Sequence, residues 1–346
     1  MTSKTDISGG ERPSASPTVS VIIPTRNRAL FLALTLRSVF AQRDVSFEAI
    51  VVDDFSTDDT PEVLATFADP RLSVIRTNRP SGAAVARNLG TERAAGRWMA
   101  FIDDDDLWAP DKLARQVEAL SASGRLWAYS GAVFINLAGK IRGGAPPPAP
   151  DEVVALLPRH NPIPAAASNT IVAAEVLAET GGFDVRLSHM TDWDLWLRVA
   201  ARGGPPASVI SPSVAYRLHG GNFSIRPGGV RKEVREMRLR HPTVDSTRIY
   251  RHMSRLAIGS GRWLDGLRLL SSAMRGSTPY TFGELKEDGV MVLRGAATAA
   301  ARRLGRDVDL LERRSHDRLL SADPNRAYKD EARVWLDDLI RRPGQA

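Results

Sequence analysis

The chain has 346 residues, of which 43% are hydrophobic and 25% charged, as is typical of a globular protein with one large domain or two smaller ones. It contains no cysteine, which excludes disulfides, thiolate nucleophiles and zinc-thiolate sites and suits a reducing compartment. No apolar stretch reaches the length of about 18 residues that suggests a membrane span. Because residues 1–17 are polar and small, we expect a disordered tail there and a cytoplasmic protein.

The net charge of +7 is concentrated in the last third of the chain. Residues 226–346 hold 25 Lys and Arg against 16 Asp and Glu, a net charge of +9, whereas residues 1–225 carry −2. The basic residues follow helical patterns and are not interleaved with aromatic platforms, so nucleic acid is not an expected partner. The alternatives are a solvated surface, peripheral contact with the anionic inner face of a membrane, and contact with an anionic acceptor.

Strands and helices alternate through the first 120 residues. Predicted in chain order are a strand at 19–23 that stops at Pro24, a helix at 28–42, a strand at 47–52, a short helix from 60 to 68, a strand at 72–75, a helix at 82–95 and a strand at 98–102. This alternation predicts an α/β fold with a parallel sheet.

The rest of the chain is less regular and becomes helical towards its end. Residues 126–137 are strand-like, and the Gly- and Pro-rich segment 143–150 predicts a stiff surface loop. Also expected are a helix at 192–201 closed by Gly203 and Gly204, a strand at 208–210 with an extended stretch to 218, and helices at 249–258, 262–274, 289–304 and 326–340. We therefore predict a mostly parallel α/β domain over 18–225 and a basic, mainly helical region over 226–346.

Four consecutive aspartates, Asp103 to Asp106, follow the predicted strand at 98–102. Open α/β sheets bind ligands at the carboxyl ends of their strands. Four charges this close repel one another, and a divalent cation with oxygen ligands would neutralise them. The alternative is a solvated acidic turn before the helix that begins near Pro110.

A second acidic pair, Asp53 and Asp54, ends the strand at 47–52, so two strands are expected to bring carboxylates to one edge. Such acids can bind a nucleoside, or they can end the strand in a turn. In the helix that opens at Gly82, small residues permit close packing on the sheet. On this helix Arg87 can reach either a phosphate or a nearby aspartate.

The helix at 192–201 places Asp192 at the end of a buried stripe and predicts Asp194 and Arg198 as an exposed pair. A carboxylate on a buried face can act as a general base, or it can stabilise the helix N-terminus. His219 lies in a glycine-flanked loop after the last predicted strand. It is either structural or an additional ligand for a metal or a phosphate.

Together these segments resemble the inverting glycosyltransferases of family 2, which have the nucleotide-sugar-binding fold called GT-A. The resemblance covers about residues 18–225 and rests on five motifs in the family's order, at 19–28 (VSVIIPTRNR), 51–58 (VVDDFSTD), 86–90 (ARNLG), 101–108 (FIDDDDLW) and 192–198 (DWDLWLR). Thr191 stands where the family often has glutamate. Phe55 stands where glycine is frequent, so we expect a less tight turn there.

The resemblance implies a role for each matching residue. Asp192 would be the catalytic base, and Asp105 would hold Mn²⁺ or Mg²⁺. His219 lies outside the five motifs, and its predicted role as an additional metal ligand rests on its own loop. Within the donor site, Asp54 would contact the base and Asp104 would lie near the ribose. The full set of residues expected to bind the nucleotide sugar is Pro24, Thr25, Arg26, Asp53, Asp54, Arg87, Asp103 and Asp104.

The implied reaction is a single displacement with inversion at the anomeric carbon. The donor would be a nucleoside-diphosphate sugar, with a UDP-sugar favoured, and the acceptor a glycan, a glycolipid or a small molecule in polysaccharide or glycolipid assembly. A nucleotidyltransferase is the first competing class, but it would need a glycine-rich loop after the first strand, and residues 24–28 contain no glycine. A catalytically silent protein that binds sugar nucleotides is the second.

Overall fold

The computed structural model describes residues 16–219, 226–259, 262–276, 278–279, 281–303 and 325–341. By its internal contacts the chain divides into two units. The first comprises the residues up to Ala155, Pro162–Leu218 and the segment from Ala327 onwards; the second comprises Leu156–Asn161 and His219–Arg326. Only the last two residues of the predicted tail are described, and the predicted division at residue 225 stays a prediction.

Among the described residues, nine strands form one mixed sheet in the first unit. They are β1 (Val19–Thr25), β2 (Phe47–Asp53), β3 (Leu72–Arg76), β4 (Trp98–Phe101), β5 (Leu107–Trp108), β6 (Trp127–Ile135), β7 (Ile141–Ala145), β8 (Ile171–Ala173) and β9 (Ala207–Arg217). Eight strands follow the order β3-β2-β1-β4-β8-β6-β9-β5, and β7 pairs with β6. The predicted parallel sheet is formed by β1 to β4, whereas β8 runs antiparallel to both β4 and β6.

Helices cover most of the remaining described chain. They are α1 (Ala29–Phe40), α2 (Thr60–Ala65), α3 (Ala83–Arg93), α4 (Lys112–Ser123), α5 (Pro150–Leu156), α6 (Ala174–Thr180), α7 (Thr191–Gly203), α8 (Pro227–Arg240), α9 (Ser246–Gly259), α10 (Trp263–Ala273), α11 (Phe282–Arg303) and α12 (Arg326–Arg341), with a 3₁₀ turn at Ala166–Asn169.

Helix α3 lies close against the sheet, as its small residues predict. A Cβ added to Gly90 would lie 2.6 Å from Cγ2 of Ile22 on β1, which is closer than real atoms pack. Ala86, one turn earlier, is fully buried against Ile50 and Val52 of β2. Larger side chains at these positions would push the helix away from the strand ends.

Several predicted boundaries are wrong. Strand β1 does not stop at Pro24 but continues to Thr25, in parallel register with β2. The segment predicted as a loop at 143–150 contains the end of β7 and the first residue of α5. Three helices, α5, α6 and α8, were not predicted, because the sequence signals there are short or dominated by charge.

Helix α12 covers one part of the sheet in the first unit. Its Ala332 and Leu336 are buried in a cluster with Leu107 of β5 and with Val133 and Ile135 of β6. Leu107 follows the aspartate tetrad directly, so this packing holds the strand that anchors the acidic loop.

Candidate active site

The sheet brings the ends of three parallel strands to one edge. In the register, Thr25 of β1 lies opposite Asp53 of β2, and Ile22 of β1 lies opposite Phe101 of β4. The loops that carry the two acidic motifs therefore begin at the same edge, on either side of β1. This arrangement is the one expected for a ligand site in an α/β sheet.

Asp53 ends β2 in a turn. Its Oδ1 accepts the N–H of Ser56 at 2.8 Å, and its Oδ2 lies 2.9 Å from Nη1 of Arg76, which is opposite on β3. Arg76 also donates to the carbonyl oxygen of Ser56 at 2.6 Å. The structure thus gives Asp53 the turn role that the sequence left as an alternative, and its contact with a nucleoside stays a prediction.

Asp54 is tied to the start of α3. Its carboxylate accepts the N–H groups of Ser81 and Gly82, each at 2.8 Å at the nearest, and the hydroxyl of Thr77 at 3.1 Å. Unpaired N–H groups at a helix N-terminus favour a negative charge, so this carboxylate stabilises the loop that enters α3. The predicted contact of Asp54 with a base is not tested by these bonds.

The turn after Asp54 is tighter than expected. Phe55 has φ 63°, in the left-handed region that favours glycine, so the expectation of a less tight turn is wrong. This conformation costs a residue with a Cβ roughly 1–2 kcal/mol. Asn27, in the loop after β1, supports the turn, because its backbone N–H donates to Oγ of Ser56 and its Oδ1 accepts the N–H of Thr57.

The last residue of β1 and the loop after it contact two members of the tetrad. Thr25 donates its hydroxyl to Oδ2 of Asp104 at 2.8 Å, and the backbone N–H of Arg26 donates to the same oxygen at 3.3 Å. Arg28 lies 3.5 Å from Oδ2 of Asp105. Burial and the adjacent charge of Asp105 raise the pKa of Asp104 to about 7. The crowding of charge expected from the sequence is therefore present here.

Asp106 has a structural position. Its Oδ1 accepts the backbone N–H of Arg217 at 2.9 Å, and its Oδ2 accepts the hydroxyl of Ser168 at 2.5 Å. Burial, followed by the charge of Asp105, raises its pKa well above the ordinary value. The guanidinium of Arg217 also donates to the backbone carbonyl of Asp105 at 2.8 Å, so Arg217 fixes the tetrad from β9.

Buried polar residues of α1 also position the acidic loop. Thr35 donates its hydroxyl to the carbonyl oxygen of Asp106, and Oγ of Ser38 accepts the N–H of Trp108. Sequence reasoning missed both residues, as it missed Ser168. The available signal was the pair of hydroxyl residues three positions apart on one face of α1, which is apolar elsewhere.

Arg87 connects its own motif with the aspartate tetrad and with the residue that precedes the motif at 192–198. Its Nη2 lies 2.5 Å from Oδ1 of Asp103, and its Nη1 lies 3.5 Å from Oγ1 of Thr191 at the start of α7. Its guanidinium carbon also lies 5.1 Å from the ring centre of Phe183. Of the two possibilities left by the sequence, the structure shows the aspartate pair, and phosphate binding by Arg87 stays a prediction.

Asp192 lies in the first turn of α7 and is half-buried. Burial raises its pKa to about 6, the positive charge of Arg87 opposes that rise, and the charge of Asp103 adds to it. A carboxyl group with this pKa is largely ionised at neutral pH and basic enough to accept a proton.

The predicted exposure of the neighbouring acid is wrong. Asp194 is fully buried, and its Oδ2 lies 2.5 Å from Nη2 of Arg198. Arg198 also donates to the carbonyl oxygen of Thr180 at the end of α6. This helix face is covered by α6, which the sequence did not predict, so the ion pair is internal.

Asn88 clamps the segment that precedes α7. Its Nδ2 donates to the carbonyl oxygen of Phe183, and its Oδ1 accepts the N–H of the same residue, both at 2.8 Å. The ring of Phe183 packs edge-on against Phe101, with ring centres 4.9 Å apart. The motif at 86–90 thus supplies both an ion pair and a backbone clamp, of which only the first was anticipated.

The acidic residues supply some, but not all, of the ligands that a metal ion needs. Within the described ranges, no three His, Asp or Glu side chains form a group that could hold a metal ion. Asp105 is about nine-tenths buried, and its carboxylate adds to the charge crowding around Asp104, which a cation would relieve. Asp105 therefore fits a metal that takes its other ligands from a substrate, whereas His219 belongs to the second unit and its metal role stays a prediction.

Comparison with known proteins relates the chain to sugar-transferring enzymes. The sequence pattern of the family described as glycosyl transferase family 2 matches residues 20–145. TuaG of Bacillus subtilis, described as a putative teichuronic acid biosynthesis glycosyltransferase, is 42% identical over 33% of this chain and 46% of its own length. The succinoglycan biosynthesis protein ExoO of Rhizobium meliloti is 37% identical over 36% of each chain. Against these two relatives, the chain spans less than half of their length.

A third relative matches over a longer region. WfaP of Escherichia coli, a UDP-Glc:alpha-D-GlcNAc-diphosphoundecaprenol beta-1,3-glucosyltransferase, is 30% identical over 60% of this chain and 79% of its own length. Residues 1–349 of S. aureus TarS, in complex with UDP, share the fold with a TM-score of 0.51 at 16% identity, over 84% of this chain and 92% of that one. Among the helices of the described ranges, none has the length and apolar composition of a membrane span. The fold shared with TarS is GT-A, and the family pattern together with the match to WfaP shows that the chain belongs to glycosyltransferase family 2.

Proposed function

We propose that the protein is an inverting, metal-dependent glycosyltransferase that moves a sugar from a UDP-sugar to the hydroxyl of a glycan or glycolipid acceptor. One observation carries the proposal. Arg87 pairs with Asp103 at the end of β4 and lies against Thr191, next to Asp192. The acids expected at the donor and the acid expected at the acceptor are thereby linked through one guanidinium.

The donor would lie over the ends of β1, β2 and β4. Thr25 and the amide of Arg26 hold Asp104 in place, which leaves its other oxygen for a ribose hydroxyl. Pro24 shapes the end of β1, while Asp53 and Asp54 fix the turn and the entrance to α3 beside it. In this proposal Asp53 and Asp54 hold in place the backbone that lines the nucleoside pocket.

Asp105 would hold the Mn²⁺ or Mg²⁺. A bound divalent cation supplies positive charge to the departing nucleoside diphosphate. Arg28, 3.5 Å from Asp105, adds a second positive group on the same side of the acidic loop. Arg217 donates a hydrogen bond to the backbone carbonyl of Asp105. This bond fixes the backbone from which the Asp105 carboxylate projects.

Asp192 would act as the general base. With a pKa raised to about 6, it is ionised at neutral pH and takes the proton of the acceptor hydroxyl as that oxygen attacks the anomeric carbon. The bond from this carbon to the diphosphate oxygen breaks in the same step. A single displacement inverts the configuration, and no sugar–enzyme bond is formed.

The relatives support a glycan or glycolipid acceptor. WfaP is described as acting on a diphosphoundecaprenol-linked sugar with UDP-Glc, while TuaG and ExoO are described by the polysaccharides that they help to build. WfaP is matched over most of its length, which favours a UDP-sugar and a lipid-diphosphate acceptor for this chain.

A donor panel read by thermal unfolding tests the proposal. A UDP-sugar with Mn²⁺ should raise the unfolding temperature more than dTDP- or GDP-sugars do, because a ligand that binds only the folded state stabilises it. Asp105→Asn should lose the Mn²⁺-dependent part of that rise, whereas the exposed control Asp44→Asn should keep it. If no nucleotide sugar changes the unfolding temperature, the proposal is wrong.

A turnover assay separates an enzyme from a silent binder. The protein that binds UDP-sugar should release UDP when a lipid-diphosphate-linked sugar acceptor is added. Donor binding without UDP release across a panel of such acceptors would favour the silent sugar-nucleotide-binding protein.

A further inference from the structure

Helix α8, in the second unit, is strongly two-sided. Its buried side is formed by Val230, Val234 and Met237, each no more than 1% exposed. These residues repeat at helical spacing and pack into the unit. The rest of the helix surface carries four exposed cations, which are Arg231, Lys232, Arg235 and Arg238.

The cations of α8 lie on one surface. Arg231, Arg235 and Arg238 are spaced at i, i+4 and i+7, so they follow one another along the same helix face. Burial raises the pKa of Tyr250 on α9, and the charges of these three arginines oppose that rise. We call Arg231, Lys232, Arg235, Arg238 and Leu239 the basic face of α8.

On the neighbouring helix, α9, the arginines form ion pairs. On α9, Arg251 and Arg255 pair with the acids of α11: both contact Glu287 and Asp288, and Arg251 also contacts Glu284. None of the four cations of the basic face forms an ion pair with a described acid. The positive charge of α9 is thus neutralised inside the unit, while that of α8 is presented outward.

An apolar side chain completes this face. Leu239 is 75% exposed and lies one residue after Arg238. A membrane interface accommodates both groups, because anionic headgroups attract the cations and the boundary with the acyl chains accepts a leucine. None of the five residues of the face is aromatic, and the partly buried Tyr250 of α9 is the aromatic side chain on which its arginines act.

We propose that the basic face of α8 docks the protein on an anionic lipid membrane. The proposal rests on the charge and exposure of this one helix and not on the proposed transfer reaction. It assigns part of the excess positive charge of the last third of the chain to a defined surface. Docking through this face would hold the protein at the surface where lipid-linked acceptors lie.

Vesicle cosedimentation of the full chain tests the proposal. Wild type should bind vesicles of phosphatidylcholine mixed with phosphatidylglycerol and not vesicles of phosphatidylcholine alone. The triple variant Arg231→Gln/Arg235→Gln/Arg238→Gln should bind about a hundredfold more weakly, since each arginine near an anionic surface contributes about 1 kcal/mol and a factor of ten corresponds to about 1.4 kcal/mol. Its unfolding temperature should match that of wild type, because the three side chains are exposed.

A matched variant controls for net charge. Arg43→Gln/Arg93→Gln/Arg125→Gln removes the same charge from exposed positions of the first unit and should leave vesicle binding unchanged. Binding of wild type should fall as salt is raised from about 0.1 M to about 1 M, because the Debye length falls from about 10 Å to about 3 Å. Leu239→Gln should weaken the binding that remains at high salt.

Three results would overturn the proposal. The first is unchanged vesicle binding by the α8 triple variant, and the second is an equal loss in the control triple variant. The third is tighter binding to short duplex DNA than to the anionic vesicles at the same salt.

The docking surface and the transfer reaction can be tested separately. Loss of vesicle binding by the α8 triple variant, with intact UDP release towards a water-soluble acceptor analogue, would support the docking surface and leave the transfer reaction standing. Absence of UDP release with intact docking would leave this proposal standing alone.

Discussion

Nη2 of Arg87 on α3 lies 2.5 Å from Oδ1 of Asp103 at the end of β4. Arg87 is almost fully buried, and its Nε has no hydrogen-bond partner among the described residues. A buried guanidinium is costly unless its charge is compensated, so this pair constrains both side chains. Arg87 also lies beside Asp192, so a change of charge at Asp103 alters the pKa of Asp192.

Replacing Arg87 should shift the pH dependence of the reaction. Arg87 lowers the pKa of Asp192 against the raising effect of burial, so Arg87→Met should raise that pKa further. The base must be deprotonated, and the acidic limb of kcat/KM, near pH 6 in wild type, should therefore move to higher pH. The rate loss should be larger at pH 6 than at pH 9.

Two variants sharpen this test. Arg87→Lys keeps the positive charge and should restore most of the wild-type limb, whereas Arg93→Met, an exposed change on the same helix, should leave it in place. A limb that stays fixed in Arg87→Met, or that moves to lower pH, would contradict the electrostatic role of Arg87.

Removing the clamp at Asn88 should affect turnover more than donor binding. Asn88→Ala removes two hydrogen bonds to Phe183, at about 1 kcal/mol each, and frees the segment that leads into α7. We expect kcat to fall at least tenfold while the dissociation constant of the UDP-sugar changes little. Glu92→Ala, an exposed change on α3, is the control. An effect confined to donor affinity would show that Asn88 serves the donor pocket instead.

The packing of α12 should be needed for stability. Leu336 is 1% exposed in the cluster that includes Leu107, so Leu336→Ala should destabilise the fold by about 2–5 kcal/mol. Val334 on the same helix is 76% exposed, and Val334→Ala should change stability by less than about 0.5 kcal/mol. Chemical denaturation of both variants measures this difference. Equal stabilities would contradict the assignment of α12 to the core.

The parts of the fold that follow local rules could be predicted from the sequence. The β-branched run at the start of β1 and the small residues of α3 correctly predicted a parallel sheet with a closely packed helix, because strand propensity and steric size are local properties. The position of two acidic motifs at one sheet edge follows from the same alternation. The charge-rich α8 was missed because its apolar stripe is narrow and its helix-forming residues are mostly cations.

The assignment of individual acids required tertiary structure. Asp106 and Asp194 are acidic residues in motifs, yet both are buried in internal contacts, with Ser168 and with Arg198. Ser168 lies 62 positions from Asp106 along the chain, and nothing in the spacing of either residue reveals the partner. The turn at Phe55 could not be predicted either, since a side chain that disfavours left-handed backbone is held there by contacts from the loop after β1.

Asp192→Asn tests the central claim most directly. The variant keeps the shape of the side chain and cannot take a proton, so it should bind the UDP-sugar with Mn²⁺ about as tightly as wild type. Its rate of UDP release in the presence of acceptor should fall by a factor of about 10² to 10⁴, the usual contribution of a general base. Turnover near the wild-type rate, with donor binding intact, would contradict the assignment of Asp192 as the base.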